Sequence, residues 1–205
     1  MDSILILSPH TNDVKLGSGE SIERFVEEGR KLFVAVFSSA EESLPEGIPK
    51  DVLRKEFFHS MKVMGIQENN LYVFKRPVRR LSQYRQNFLE SLITLKKEIE
   101  PDLFIMLSSF EVYQDHQVVH NGGLRAFRNN SLLCYELPWN NLSFVAQGFF
   151  PLSHANHETK WLAMQSYKSQ ITIVRTCFSW DYIHSLVLLR GGQIRTKYAE
   201  TLVLA

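Results

Sequence analysis

The chain has 205 residues, 44% of them hydrophobic and 22% charged, with a net charge of +1. That balance suits one folded domain over 1–205 with a sizeable core, and it excludes a disordered chain. Near-neutral charge gives no pull toward nucleic acid or anionic membrane, no apolar run can span a bilayer, and two cysteines without a CxxC motif fit a reducing cytoplasm.

The apolar run over 4–8 predicts a short buried strand. A helix is expected over 18–28, with Ile22, Phe25 and Val26 on one face and Gly29 as its stop. A second buried strand follows over 31–38, then a polar loop over 41–50 with two prolines. Leu53, Phe57, Met61 and Met64 recur at helical spacing over 51–64, and Gly65 follows as a cap. A short strand over 71–74 precedes the longest helical pattern, 82–100, which Pro101 stops. Next come a buried strand over 102–107, a helix over 116–128 and a strand over 131–137. Helices over 158–169 and 181–190 and a terminal "YAETLVL" strand complete the chain.

Strands alternating with helices specify right-handed crossovers and a parallel sheet covered on both faces. In such sheets, sites lie beyond the carboxyl ends of strands. His10 and Asp13 follow the first strand, and Asp115 and His116 follow the strand over 102–107. Two polar clusters, distant in sequence, therefore share one edge. Any one of these residues alone reads as a loop hydrogen-bonder or a helix cap. Together, His10, Asp13 and His116 form a His-Asp-His set suited to a catalytic zinc or another divalent metal.

"SPHTNDVKLGSG" resembles the PHPDDExxGxGG signature of the PIG-L/LmbE-like N-deacetylases, and "EVYQDHQVVH" resembles their second signature, which usually ends HxDH. "RKEFFHSMKVMGI", "LLCYELPWN", "YKSQ" and "RGGQIRTKYAE" extend the likeness over nearly the whole chain. The resemblance implies a Rossmann-like α/β three-layer sandwich with a mostly parallel central sheet. It also implies hydrolysis of an N-acetyl amide on a small-molecule sugar by metal-activated water. Carried over, His10, Asp13 and His116 are the metal ligands, and Asp115 is the acid that buttresses the second signature. Asp115 reads equally well as a helix N-cap.

The departures fall on proton transfer. The general base of the DD pair is Asn12 here, the following Glu is Val14, the first His of HxDH is Tyr113, and the last glycine of GxGG is Glu20. An amide accepts no proton near neutral pH. A lost general base costs ~10²–10⁴-fold in rate. Tyr113 can still donate to an oxyanion, or simply fill a loop pocket. Glu111 is the nearby carboxylate that could replace the base. His120, one helical turn after His116, could touch the metal or only pack. Arg54, and Arg80 with its neighbour Arg79, are candidates for an anionic substrate group, and Trp139 for a wall of the sugar site. Two functions are expected: a metal-dependent de-N-acetylase, or a catalytically impaired member that binds a sugar or a partner protein. Oligomerisation is left open.

Overall fold

In the computed structural model, which describes residues 2–173 and 175–205, the first strand, β1 (Ser3–His10), is buried from Ile4 onward. An unbroken apolar run of this kind belongs to a strand covered on both faces. It is followed by α1 (Asp13–Glu27), β2 (Lys31–Ser38), α2 (Val52–Val63) and β3 (Leu71–Val73). Then come α3 (Arg85–Ile99), β4 (Leu103–Leu107), α4 (Gln114–Phe127) and β5 (Ser131–Tyr135). The chain continues through β6 (Gly148–Leu152), α5 (His154–Gln165), α6 (Lys168–Thr172), α7 (Trp180–Gln193) and β7 (Tyr198–Leu204).

These strands form one sheet in the order β3-β2-β1-β4-β5-β7-β6. The first five are parallel, and β7 runs antiparallel to both of its neighbours. From β1 the chain crosses to β2 on one side, and from β4 it crosses to β5 on the other. Right-handed crossovers in opposite directions place α1 and α4 on opposite faces, which makes three layers. The order reverses between β1 and β4, so a crevice opens at their carboxyl ends. β1 ends at His10, and α4 begins two residues before His116.

The expected fold and most elements are present, with four differences. Helix α1 starts at Asp13 rather than residue 18, and the glycine-spaced stretch lies within it. A break in helical geometry at Ser18 (φ −147°, ψ 24°) marks a kink. Gly17 is needed because a Cβ there would strike the Tyr135 ring, and a Cβ on Gly19 would sit 3.0 Å from the Lys160 side chain. These glycines serve packing. The pattern over 82–100 begins as a 3₁₀ turn, Leu81–Tyr84, before α3. The helix expected over 158–169 divides into α5 and α6. Strand β6 was not expected, because Pro151 argues against a strand; it is tolerated at the edge of the sheet.

The segments that carry the weaker part of the resemblance act as staples. The Arg190 guanidinium donates to both carboxylate oxygens of Glu136, at 2.8 and 2.6 Å, which ties α7 to the end of β5. The Tyr167 hydroxyl donates to the Thr11 carbonyl at 2.5 Å, beneath the turn that follows β1. Ser169 donates through its N–H and hydroxyl to Glu56, which joins α6 to α2.

Glu20, in place of the signature's last glycine, anchors a buried charge cluster. Lys160 Nζ donates to Glu20 Oε2 and Glu200 Oε1, both at 2.8 Å, and to the Leu16 carbonyl at 3.2 Å. Glu20 Oε1 lies 2.9 Å from His157 Nδ1. Burial and the Lys160 charge push His157 down to about 4, so it is neutral at pH 7. Removing one partner from such a cluster leaves buried charge uncompensated. Lys160→Met is therefore expected to lower stability by about 3–5 kcal/mol in urea denaturation. A loss under about 1 kcal/mol would mean the two carboxylates share a proton and need no cation.

Candidate metal centre

Three turns of local structure assemble the site. Ser8 Oγ donates to the His10 carbonyl at 2.6 Å and accepts from the Val14 N–H at 3.3 Å, which fixes the turn between β1 and α1. Asp13, first residue of α1, reaches back to accept the His10 N–H at 2.9 Å. It has its place at the positive end of the helix dipole, which favours a carboxylate. His116 arrives from the first turn of α4, across the β1/β4 crevice.

His10 Nδ1 lies 3.0 Å from Asp13 Oδ2, His116 Nε2 lies 3.3 Å from the same oxygen, and the two ring nitrogens are 3.4 Å apart. Among the described residues this is the one group of three such donors close enough to hold a metal ion, and all three are buried. Each imidazole has a carboxylate on its other nitrogen. His10 Nε2 is 3.2 Å from Asp115 Oδ2, and His116 Nδ1 is 3.0 Å from Glu111 Oε2. A carboxylate only accepts, so these outer nitrogens carry hydrogen and turn the inner lone pairs toward the centre. Two imidazoles, one carboxylate and such a backing shell fit a divalent metal.

The electrostatics fit as well. Burial works against charge on every member, yet His116 and His10 hold the Asp13 carboxyl well below its usual range. Against the same desolvation, Asp13 and Glu111 raise His116 to about 10. Asp13 and Asp115 likewise raise His10. Metal-free, the centre is thus a carboxylate held against a protonated His116 ring, and a metal must displace that proton. Metal uptake near pH 8 is expected to release at least the His116 proton, and affinity should rise with pH. Calorimetry in buffers of different ionisation enthalpy checks this; uptake without proton release would contradict it.

Asp115 is held by three partners. Besides His10 it accepts the N–H groups of Arg79 at 2.6 Å and Leu81 at 3.1 Å. Burial pushes its pKa up, but these donors outweigh it and hold the carboxyl below its ordinary value. Asp115 therefore orients His10, from the other half of the sheet, rather than His116 beside it. Asp115→Asn is expected to weaken metal binding about 10–100-fold while leaving the fold intact. Unchanged affinity in a metal-competition titration would remove this role.

The triad opens into a cleft of about 320 Å³. Asn12, Tyr113 and Trp139 line it with His10, Asp13 and His116. Asn12 sits at the N-cap of α1 without capping through its side chain, so its amide is free toward the cleft. The Tyr113 ring packs edge-on against both histidines. Arg54 and Arg80 are exposed and do not line the cleft; Arg54 lies over the Phe58 ring. Arg79 lines it instead, with Gln170, Arg175 and Cys177. Glu111 is engaged behind His116 and is not part of the cleft lining, so it does not stand in for the missing base. His120 lies 2.9 Å from the Leu107 carbonyl through Nδ1 and has no place among the metal donors. Of the pair Arg79 and Arg80 that the sequence offers for an anionic group, only Arg79 lines the cleft; no sequence signal marked Arg175, which enters from an irregular loop. The partnership of Glu111 with His116 is visible only as a spacing of five residues.

Comparison with known proteins agrees with this geometry. The chain is 25% identical over 173 residues to "Uncharacterized deacetylase YaiS" of Escherichia coli (strain K12), covering 81% of this chain and 90% of that protein. Among solved structures, the N,N'-diacetylchitobiose deacetylase of Pyrococcus horikoshii superposes with a TM-score of 0.80 at 17% identity, over 100% of this chain and 84% of the other. The zinc-inhibited form of the teicoplanin deacetylase Orf2 gives a TM-score of 0.82 at 14% identity, over 99% and 98%. At these identities the structural likeness establishes the fold. The family model PIG-L, GlcNAc-PI de-N-acetylase, matches residues 5–127, more than half of the chain and the part that carries all three donors; the chain therefore belongs to the PIG-L family.

Proposed function

We propose that this protein is a metal-dependent N-deacetylase that removes acetate from an N-acetylated sugar or sugar conjugate. The observation that carries the reading is the convergence of His10, Asp13 and His116, each histidine backed by a carboxylate, at the floor of a cleft large enough for a sugar ring. A divalent metal, for which zinc suits this donor set, supplies Lewis-acid polarisation of the amide carbonyl and acidifies water.

The chain's own groups do the rest. Burial and the Asp115 charge push the Tyr113 phenol up, so it keeps its proton and donates to the developing oxyanion. Trp139 walls the sugar, and Asn140 and Gln170 offer amides to its hydroxyls. Asn12 can position a water by hydrogen bonding but cannot take its proton. The whole chain acts as one domain, and its free cysteines fit a reducing cytoplasm. Among the described residues no helix is long and apolar enough to cross a membrane.

One observation favours a second reading, a slow or silent member that binds the sugar. Asp13 is the one carboxylate among the described residues that line the cleft, and it is committed to the histidines. Acetate release from N-acetylglucosamine and N,N'-diacetylchitobiose, with zinc added and then chelated, separates the two. Zinc-dependent release supports the enzyme; binding of the sugars without release supports the silent member.

A further inference from the structure

Arg79 and Arg175 line the same cleft as the metal donors, and the hydrolysis as derived leaves both without a task. The ion-paired arginines among the described residues are Arg24, Arg30 and Arg190; neither Arg79 nor Arg175 joins them. The other polar side chains on the wall, beyond the triad and Tyr113, are the neutral Asn12, Ser43, Asn140 and Gln170, with the Cys177 thiol. Away from the triad, the cleft is thus cationic and free of carboxylate.

Arg79 is also held there at a cost. It is a non-glycine residue with φ of +65°, a left-handed conformation that costs an L-residue about 1–2 kcal/mol. Three contacts impose it. The Arg79 N–H donates to Asp115, its carbonyl accepts from Gln114 Nε2 at 2.5 Å, and its guanidinium donates to Ser43 Oγ at 3.3 Å. The carboxylate that orients His10 therefore also fixes the backbone that aims Arg79 into the cleft. Arg79 and Arg80 are both exposed, but Arg80 lies outside the cleft.

We infer that Arg79 and Arg175 form an anion-binding subsite, and that the acylated sugar carries a phosphate or carboxylate group that docks on it. The inference rests on the deacetylase reading only for the acyl group; the subsite itself concerns binding. Guanidinium groups suit both anions, because their planar donor fork matches either one in a bidentate pair.

Calorimetry on metal-free protein with N-acetylglucosamine, its 1-phosphate, its 6-phosphate and its uronate tests the subsite without turnover. At least one anionic sugar should bind about 10–100-fold tighter than N-acetylglucosamine, and the advantage should shrink with salt. The tightest of the three anionic sugars distinguishes phosphate from carboxylate. Arg79→Asn, which tolerates the left-handed backbone, and Arg175→Gln should each reduce the preference; melting curves confirm that both variants fold. Equal binding of all four sugars, or a preference unchanged in both variants, overturns the subsite. Acetate release, followed on the same sugars with zinc, keeps the two readings apart. Arginine-dependent binding with no acetate from any sugar leaves the subsite standing and removes the deacetylase. Equal acetate release from neutral and anionic sugars, with KM unmoved in both variants, does the reverse.

Discussion

Replacing His116 with alanine is expected to strip the protein of its metal and to lower acetate release roughly 10³-fold or more. Only His10 and Asp13 would remain, two donors where a catalytic site of this kind needs three. The substitution also leaves Glu111 buried without its partner. Its other oxygen, Oε1, already has no hydrogen bond, and burial pushes its pKa up against the pull of His116. The loss of that contact should cost about 1–3 kcal/mol of stability. His116→Gln separates the two effects. An amide N–H can still donate to Glu111, but glutamine is a poor ligand, so this variant should melt near wild type and remain metal-poor. Full metal content in both variants would refute the assignment of His116.

Replacing Asn12 with aspartate should act in the opposite direction. Among the described residues that line the cleft, no carboxylate is free of the histidines, and position 12 faces it without any capping bond to break. A carboxylate there would restore general-base assistance, worth ~10²–10⁴-fold where fully developed. The expected gain in kcat is about 10–10³-fold, less than the full value because Val14, Tyr113 and Glu20 also differ from the family pattern. The pH profile should acquire an acidic limb as the new carboxylate protonates. A good wild-type rate that falls on Asn12→Asp would mean the site was rebuilt around another base. Binding without hydrolysis in both forms would establish the silent member.

Much of this was legible in the sequence because strand and ligand are adjacent. The run that buries Ile4–Leu7 has to end where His10 and Asp13 begin, and the strand before Asp115 and His116 imposes the same geometry on α4. Sheet topology then brings the two together without any detail of side-chain packing. What stayed hidden depends on contacts between distant segments. Gly17 and Gly19 appear in the sequence only as part of the signature, and the Tyr135 ring and the Lys160 side chain show why α1 needs them. Glu20 looked like a simple loss of glycine, yet it is matched by Lys160 and His157 from α5. Which of Arg79 and Arg80 lines the cleft is tied to a single left-handed backbone position, which neighbouring identical residues cannot reveal. The pairing of Asp115 with His10 rather than His116 likewise requires the β1/β4 crevice to be closed in space.

The most direct test of the account is to locate the metal. Crystals grown with one equivalent of zinc, measured at the zinc absorption edge, should show one strong anomalous peak about 2.0–2.2 Å from His10 Nδ1, His116 Nε2 and an Asp13 oxygen. A zinc peak bound elsewhere with this point empty, or no peak at saturating zinc, would contradict it.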